Sequence, residues 1–257
     1  MLVHAVLFDI DGTLFTGMEP IAGATDAIRF LQQEKIPYRF ISNGTRKSRK
    51  TVLEKLKRLN LPVQETQIIT PAGAAIQYLK NRYHISCTLL VSDDLKEDFV
   101  NAGISLTPDA DVVVVGDAGD QFTYDSINLV FRQIMAGAEL IALEKDRYWM
   151  DADGLSLGAG AFIKGLEFAS GKSALLMGKP SPDFFREALA SMGAEPETTL
   201  MIGDDINTDV GGAMACGLQG ALVRTGKYNA KDLESSHVQP THIVQSVASI
   251  PELIHMD

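Results

Sequence analysis

The sequence has little cysteine, no long apolar run and no targeting signal, and each shortage excludes a class of protein. Its 257 residues include two cysteines, Cys87 and Cys216, which are too few for a disulfide framework. No apolar stretch approaches the roughly 20 residues that a membrane-spanning helix needs. No basic segment followed by an apolar run marks a signal peptide. We therefore expect a cytoplasmic protein with no membrane partner.

Positively charged residues are also few. The sequence has 23 lysines and arginines but 33 acidic residues, which gives a formal net charge of -10. A chain this acidic offers no electrostatic footprint for nucleic acid, so we expect no nucleic-acid partner. The five histidines are scattered without the spacing of metal ligands. An anionic substrate would therefore need a locally positive site or a metal ion.

What the sequence does contain is an alternation of short apolar runs and amphipathic segments. Apolar residues make up 46% of the chain, enough for an extensive core. Buried strands are predicted at residues 5–8, 38–41, 174–177, 200–202 and 220–223, with helical spacing between them. This alternation is typical of an α/β fold with a parallel sheet. The Gly- and Asp-rich stretch 147–160 predicts a long ordered loop.

Polar side chains follow four of the predicted strands. They are Asp9 and Asp11, then Ser42 and Asn43, then Lys179, and finally Asp204, Asp205 and Asp209. Because ligands of open α/β sheets bind at the carboxyl ends of the strands, we expect these groups along one edge. Carboxylates without histidine or cysteine suit Mg²⁺, whereas an ammonium, a hydroxyl and an amide suit phosphate oxygens. The set predicts a phosphoryl-transfer site.

Taken in order, these strand ends resemble the four motifs of the haloacid dehalogenase superfamily of phosphatases. Residues 9–13 read Asp-Ile-Asp-Gly-Thr, and residues 203–209 read Gly-Asp-Asp-Ile-Asn-Thr-Asp. The long stretch between the second and third motifs is similar to the inserted cap of the NagD-like (type IIA) subfamily. The resemblance implies a Rossmann-like core over 1–71 and 178–257, with an α/β (C2-type) cap inserted over 72–177.

The resemblance also implies a role for each acid of the first motif. Asp9 would be the nucleophile that forms an aspartyl phosphate, and Asp11 the general acid and then the general base. Mg²⁺ would be held by Asp9, by the backbone carbonyl of Asp11 and by Asp204.

The remaining matched residues would bind the phosphoryl group or support those that do. Ser42, Asn43 and Lys179 would contact the phosphoryl oxygens. Asp205 and Asp209 would orient the metal-bound waters or Lys179.

Two cap residues, Arg147 and Tyr148, are candidates for contact with the rest of the substrate. The function implied is a Mg²⁺-dependent phosphatase that hydrolyses small phosphorylated metabolites. A phosphotransferase or phosphomutase using the same site is the alternative enzyme, and a catalytically silent phosphate-binding module is the alternative from another class. Caps of this kind mediate dimers in the family, so a homodimer is one implied assembly.

Overall fold

The computed structural model describes residues 2–83, 86–151 and 154–255. The chain forms two compact units, the first made of 1–42, 52–69 and 179–257 and the second of 43–51 and 70–178. Residues 43–51, 70–71 and 178 group with the second unit, whereas the domain prediction placed them in the core. The division into a catalytic core and a cap stays a prediction.

The first unit is built on a six-stranded parallel sheet. Its strands lie in the spatial order His242–Val244, Gln219–Val223, Thr199–Gly203, Ala5–Asp9, Tyr38–Ile41 and Ile68–Ile69. The two central strands, Ala5–Asp9 and Thr199–Gly203, are buried at every position, as their continuous apolar runs predict. Phe8 pairs with Ile202 in parallel, so these two strands end side by side at the same edge of the sheet.

Helices and one hairpin complete the first unit. The helices are Ala24–Gln33, Arg49–Arg58 (residues 49–51 belong to the second unit), Pro182–Ala190, Gly212–Ala215, Ala230–Ser235 and Ile250–His255; the hairpin pairs Phe15–Thr16 with Glu19–Pro20. After the strand Thr199–Gly203, a π-helix, Ile206–Gly211, precedes the short α-helix Gly212–Ala215. A π-turn inside a helix is rare and is found mostly at functional sites.

The second unit has its own parallel sheet with helices. Its strands lie in the order Leu175–Leu176, Glu139–Ala142, Val112–Val115, Ser86–Leu90 and Ser105–Leu106, and its helices are Pro71–Asn81, Asp93–Asn101, Tyr124–Ala136 and Ala159–Ser170. Thr70, Ser92 and Thr123 cap three of these helices, because each side chain accepts a backbone N–H of the first turn. The predicted α/β class is therefore confirmed.

The predicted loop at 147–160 is wrong. An antiparallel hairpin pairs Tyr148–Asp151 with Gly154–Leu157, and the next helix begins at Ala159. The glycines and aspartates of this stretch are typical of turns, and they outweighed the aromatic residues Tyr148 and Trp149 that favour a strand. In the described part of the chain, no helix is long and apolar enough to cross a membrane.

Candidate active site

A buried lysine joins two of the predicted acids at the edge of the first unit's sheet. Lys179 Nζ lies 2.5 Å from Asp9 Oδ1 and 2.7 Å from Asp209 Oδ1. Thr13 Oγ1 donates a hydrogen bond to the other Asp9 oxygen at 3.1 Å. All four side chains are buried, so the orientation of the Asp9 carboxylate is fixed on both sides.

Asp204 brings a third buried carboxylate to the same place. Oxygen atoms of Asp9, Asp204 and Asp209 lie within 4.8 Å of one another. Burial first, and then the charges of Asp9 and Asp209, raise the pKa of Asp204 to about 8 against the opposing effect of Lys227. Three crowded carboxylates repel one another unless a cation joins them.

The pKa values of Asp209 and Lys179 are also shifted by the close approach of these charged groups. Burial and then Asp9 raise the pKa of Asp209 to about 6, although Lys179 opposes this. Burial alone would lower the pKa of Lys179, but Asp209 and Asp9 together raise it above its ordinary value. The one buried ammonium therefore pairs with two of the three carboxylates, and the excess of buried oxygen ligands fits a divalent metal ion.

Two glycines let the backbone close around Asp204. A Cβ at Gly12, where φ is +86°, would lie 1.9 Å from Asp204 Oδ2, and a Cβ at Gly226, where φ is +60°, would lie 2.0 Å from it. The Lys227 N–H donates to this oxygen at 2.6 Å, and Thr225 Oγ1 donates to the Gly12 carbonyl at 2.6 Å. Any side chain at either glycine would displace the carboxylate, so these positions require glycine.

The two other acids of the last motif differ in their contacts. Asp205 accepts hydrogen bonds from the N–H groups of Asn207 and Thr208 at 2.9 and 3.0 Å, so its carboxylate caps the π-helix. Asp209 accepts the Asp205 N–H at 3.1 Å and contacts Lys179. Asp209 thus belongs to the carboxylate cluster, whereas the Asp205 side chain binds the start of the π-helix instead.

Asp11 and Ser42 complete the predicted residues of the first unit. The Asp11 side chain is 67% exposed, and its Oδ1 lies 3.7 Å from Lys55 Nζ. Ser42 is buried directly after the strand Tyr38–Ile41, and its N–H donates to the Ile69 carbonyl at 3.2 Å. Asp11 is therefore accessible to solvent, whereas the lysine–carboxylate cluster is not.

Three predicted residues lie in the second unit. Asn43 Nδ2 donates to Asp146 Oδ1 at 3.4 Å. The Arg147 guanidinium lies 5.9 Å from the centre of the Tyr148 ring. Arg147 and Tyr148 line a cavity of about 400 Å³ together with Lys145, Leu157, Gly160 and Ala161.

Sequence reasoning assigned no role to Thr13, Gly226 or Thr225. Thr13 could have been found, because it lies in the first motif four residues after Asp9. Gly226 and Thr225 lie in no recognised motif, and their part in the site depends on contacts across more than 200 residues of sequence.

Comparison with known proteins identifies the family. Residues 6–105 match the model of haloacid dehalogenase-like hydrolases, and residues 176–250 match a second, HAD-hydrolase-like model. The chain is 42% identical over 238 residues to haloacid dehalogenase-like hydrolase domain-containing protein 2 of Bos taurus, covering 93% of this chain and 90% of that protein. The chain belongs to the haloacid dehalogenase-like hydrolases.

Further similarities place this haloacid dehalogenase-like hydrolase among phosphatases. It is 38% identical over 260 residues to phospholysine phosphohistidine inorganic pyrophosphate phosphatase of Xenopus laevis, covering 98% of this chain and 94% of that protein. NagD from E. coli K-12 superposes with a TM-score of 0.88 at 25% identity, covering 100% of this chain and 99% of NagD. The predicted family, its NagD-like character and the phosphatase class of enzyme are thus confirmed.

Proposed function

We propose that this enzyme hydrolyses small phosphorylated metabolites with Mg²⁺ and through an aspartyl phosphate on Asp9. The observation that carries the proposal is the buried cluster of Asp9, Asp204 and Asp209, in which the ammonium of Lys179 pairs with Asp9 and Asp209. Asp9, Asp204 and the backbone carbonyl of Asp11 would hold the ion. When bound, Mg²⁺ would supply the positive charge that an anionic substrate needs in order to approach these acids.

Asp9 and Asp11 would divide the covalent and proton-transfer chemistry. An Asp9 oxygen forms a bond to phosphorus while the bond to the leaving oxygen breaks, and Asp11 gives that oxygen a proton. Water then attacks phosphorus and gives a proton to Asp11, while the bond to Asp9 breaks and inorganic phosphate leaves. The exposure of Asp11 supports its role, because both proton transfers involve groups that enter from solvent.

The phosphoryl group would be bound by Ser42, Asn43 and Lys179. Lys179 supports this assignment most directly, because it already contacts the nucleophile and would offset negative charge on the transferring group. Asp209 would hold Lys179 in place, and Asp205 would support the turn that carries Asp209.

Arg147 and Tyr148 would contact the part of the substrate beyond the phosphate. The cavity that they line also contains Lys145, so two cations and an aromatic ring border it. Such a lining suits a small anionic or planar group. The name of the Xenopus laevis relative likewise favours small phosphorylated compounds as substrates. A homodimer and a cytoplasmic location stay predictions.

Hydrolysis of p-nitrophenyl phosphate tests the proposal. The wild type is assayed with Mg²⁺ and with EDTA, and Asp9→Asn is assayed with Mg²⁺. Asp26→Asn is the matched control, because it removes an exposed carboxylate of the same unit. We expect turnover only with both the metal and Asp9, and no change in the control.

Two results would count against this function. Turnover by Asp9→Asn at the wild-type rate would exclude the nucleophile, and turnover unaffected by EDTA would exclude the metal. Measuring inorganic phosphate together with nitrophenol shows whether water or an alcohol accepts the phosphoryl group. Equal amounts of the two products mean hydrolysis. Less phosphate than nitrophenol in the presence of an added alcohol means phosphotransfer. Phosphate binding without turnover would instead support a silent binding module.

A further inference from the structure

Lys55 is a cation beside the site to which the proposed chemistry gives no role. Its Nζ lies 3.7 Å from Asp11 Oδ1 and 4.0 Å from the centre of the Phe15 ring. It projects from the helix Arg49–Arg58, which is anchored by the buried side chains of Leu53 and Leu56. Across the described residues, Lys55 is the one cation recorded within 4 Å of the Asp11 carboxylate.

Two backbone hydrogen bonds hold the segment that carries Asp11 and Phe15 in a compact turn. The Gly12 N–H donates to the Phe15 carbonyl at 2.8 Å, and the Leu14 N–H donates to the Ile10 carbonyl at 2.9 Å. Phe15 is buried, so its ring offers Lys55 a fixed face. The position of Asp11 relative to that ring is therefore set by the backbone.

The ring distinguishes this ion pair from an ordinary exposed one. An exposed lysine–carboxylate pair contributes little, partly because two flexible side chains must be ordered. An ammonium held over an aromatic face gains a further attraction from the ring. The Phe15 ring therefore helps to hold the Lys55 ammonium beside Asp11.

We infer that Lys55 is a positioning residue for Asp11 and, through it, a determinant of substrate class. The inference rests on the proposed function, in which Asp11 protonates the leaving oxygen. The Asp11 side chain is 67% exposed, so its carboxyl group would otherwise rotate freely, and Lys55 restrains its direction. The enzyme is thereby suited to phosphate esters whose leaving oxygen is strongly basic and must receive a proton as it departs.

A series of aryl phosphates with one ring and rising leaving-group basicity tests this role. Values of kcat/KM are measured for 4-nitrophenyl, phenyl and 4-methylphenyl phosphate, because this constant covers the steps up to departure of the phenol. General acid catalysis contributes about 10²–10⁴-fold where the leaving group needs it. We expect Lys55→Met to lower kcat/KM about five- to ten-fold for the two basic phenols and less than about two-fold for nitrophenol.

Three further variants separate positioning from loss of charge or structure. Lys57→Met removes a lysine from an exposed position of the same helix, and we expect wild-type values for every ester. Lys55→Arg keeps a cation over the ring and should recover most of the loss. Phe15→Leu keeps Lys55 but removes its aromatic support, and we expect the same selective loss in a milder form.

Failure of the Lys55 inference can be distinguished from failure of the proposed function. An equal loss for all three esters in Lys55→Met, or no loss, would overturn the positioning role even though the wild type is active. Failure of the proposed function would be seen earlier, as wild-type turnover that needs neither Mg²⁺ nor Asp9. A selective loss that Lys55→Arg reverses would establish the inference.

Discussion

The two units place acidic residues at equivalent points of their sheets but partner them differently. In the second unit, Glu144 and Asp117 each follow a parallel strand by two residues. Thr45 Oγ1 donates to Glu144 Oε1 at 2.5 Å, and Arg46 Nε lies 3.1 Å from Asp117 Oδ2. Each acid thus has a donor of its own.

In the first unit, three buried carboxylates crowd together around one buried ammonium. Oxygen atoms of Asp9, Asp204 and Asp209 lie within 4.8 Å of one another, and Lys179 pairs with Asp9 and Asp209. A carboxylate after a parallel strand therefore does not by itself indicate a metal site. The distinguishing feature is the excess of buried negative charge, since an acid with its own partner can stabilise the fold whereas several acids that crowd around one cation call for another.

Removal of Lys179 should have the largest effect on stability. Lys179→Met leaves Asp9 and Asp209 buried without their ammonium, which costs about 3–5 kcal/mol when one partner of a buried pair is lost. Urea unfolding in EDTA measures the difference, and turnover should be abolished as well. Lys231→Met, at an exposed position of the same unit, should stay within about 0.5 kcal/mol of the wild type. A loss for Lys179→Met as small as that of the control would show that the cluster does not depend on its lysine.

The partners of Lys179 illustrate which parts of the site a sequence can predict. Buried strands are recognisable from apolar runs, and the residues after them follow from the parallel topology, so Asp9 and Asp204 could be expected at one edge. The same reasoning was wrong for Lys179, because the strand before it, Leu175–Leu176, pairs with Glu139–Ala142 in the sheet of the second unit. The glycine contacts of Asp204 could not, because they depend on φ values and on an approach between residues 12 and 226.

Elsewhere the local pattern was ambiguous for a physical reason. The hairpin formed by Tyr148–Asp151 and Gly154–Leu157 exposes Leu155 and Leu157, so it lacks the buried face that makes a strand recognisable. The π-helix Ile206–Gly211 also escaped prediction, since its side-chain spacing resembles that of an α-helix over one turn.

Glu167 in the second unit should show a moderate effect with a clear pH dependence. Burial would raise its pKa, but hydrogen bonds from Lys145, Lys164 and the Ala174 N–H outweigh burial and lower the pKa from 4.5 to about 2. A carboxylate with a lowered pKa in the folded state stabilises the protein above its unfolded pKa. This stabilisation is lost as the pH falls from about 4.5 to about 2.

The measurement for Glu167 compares unfolding free energies at two pH values. We expect Glu167→Gln to be less stable than the wild type by about 2 kcal/mol at pH 7, and the difference to shrink at about pH 3. Glu97→Gln, at an exposed position of the same unit, should change neither value. A difference that stays constant between the two pH values would mean that packing, rather than the charge of Glu167, accounts for the loss.

Asp204 should give the smallest change in stability, and of the opposite sign. Without metal, Asp204→Asn removes one of three repelling carboxylates and can keep an oxygen to accept the Lys227 N–H. We therefore expect the variant in EDTA to be more stable than the wild type by about 1 kcal/mol, as substitutions that relieve functional strain often are.

Mg²⁺ at about 100 times its Kd should stabilise the wild type by about 2.7 kcal/mol and the variant far less. Thermal unfolding with and without Mg²⁺ measures both effects, and an equal Mg²⁺ shift in the two proteins would remove Asp204 from the metal site. A loss of stability in EDTA would mean that Asp204 supports the fold as Glu167 does, and the contrast between the units would no longer hold.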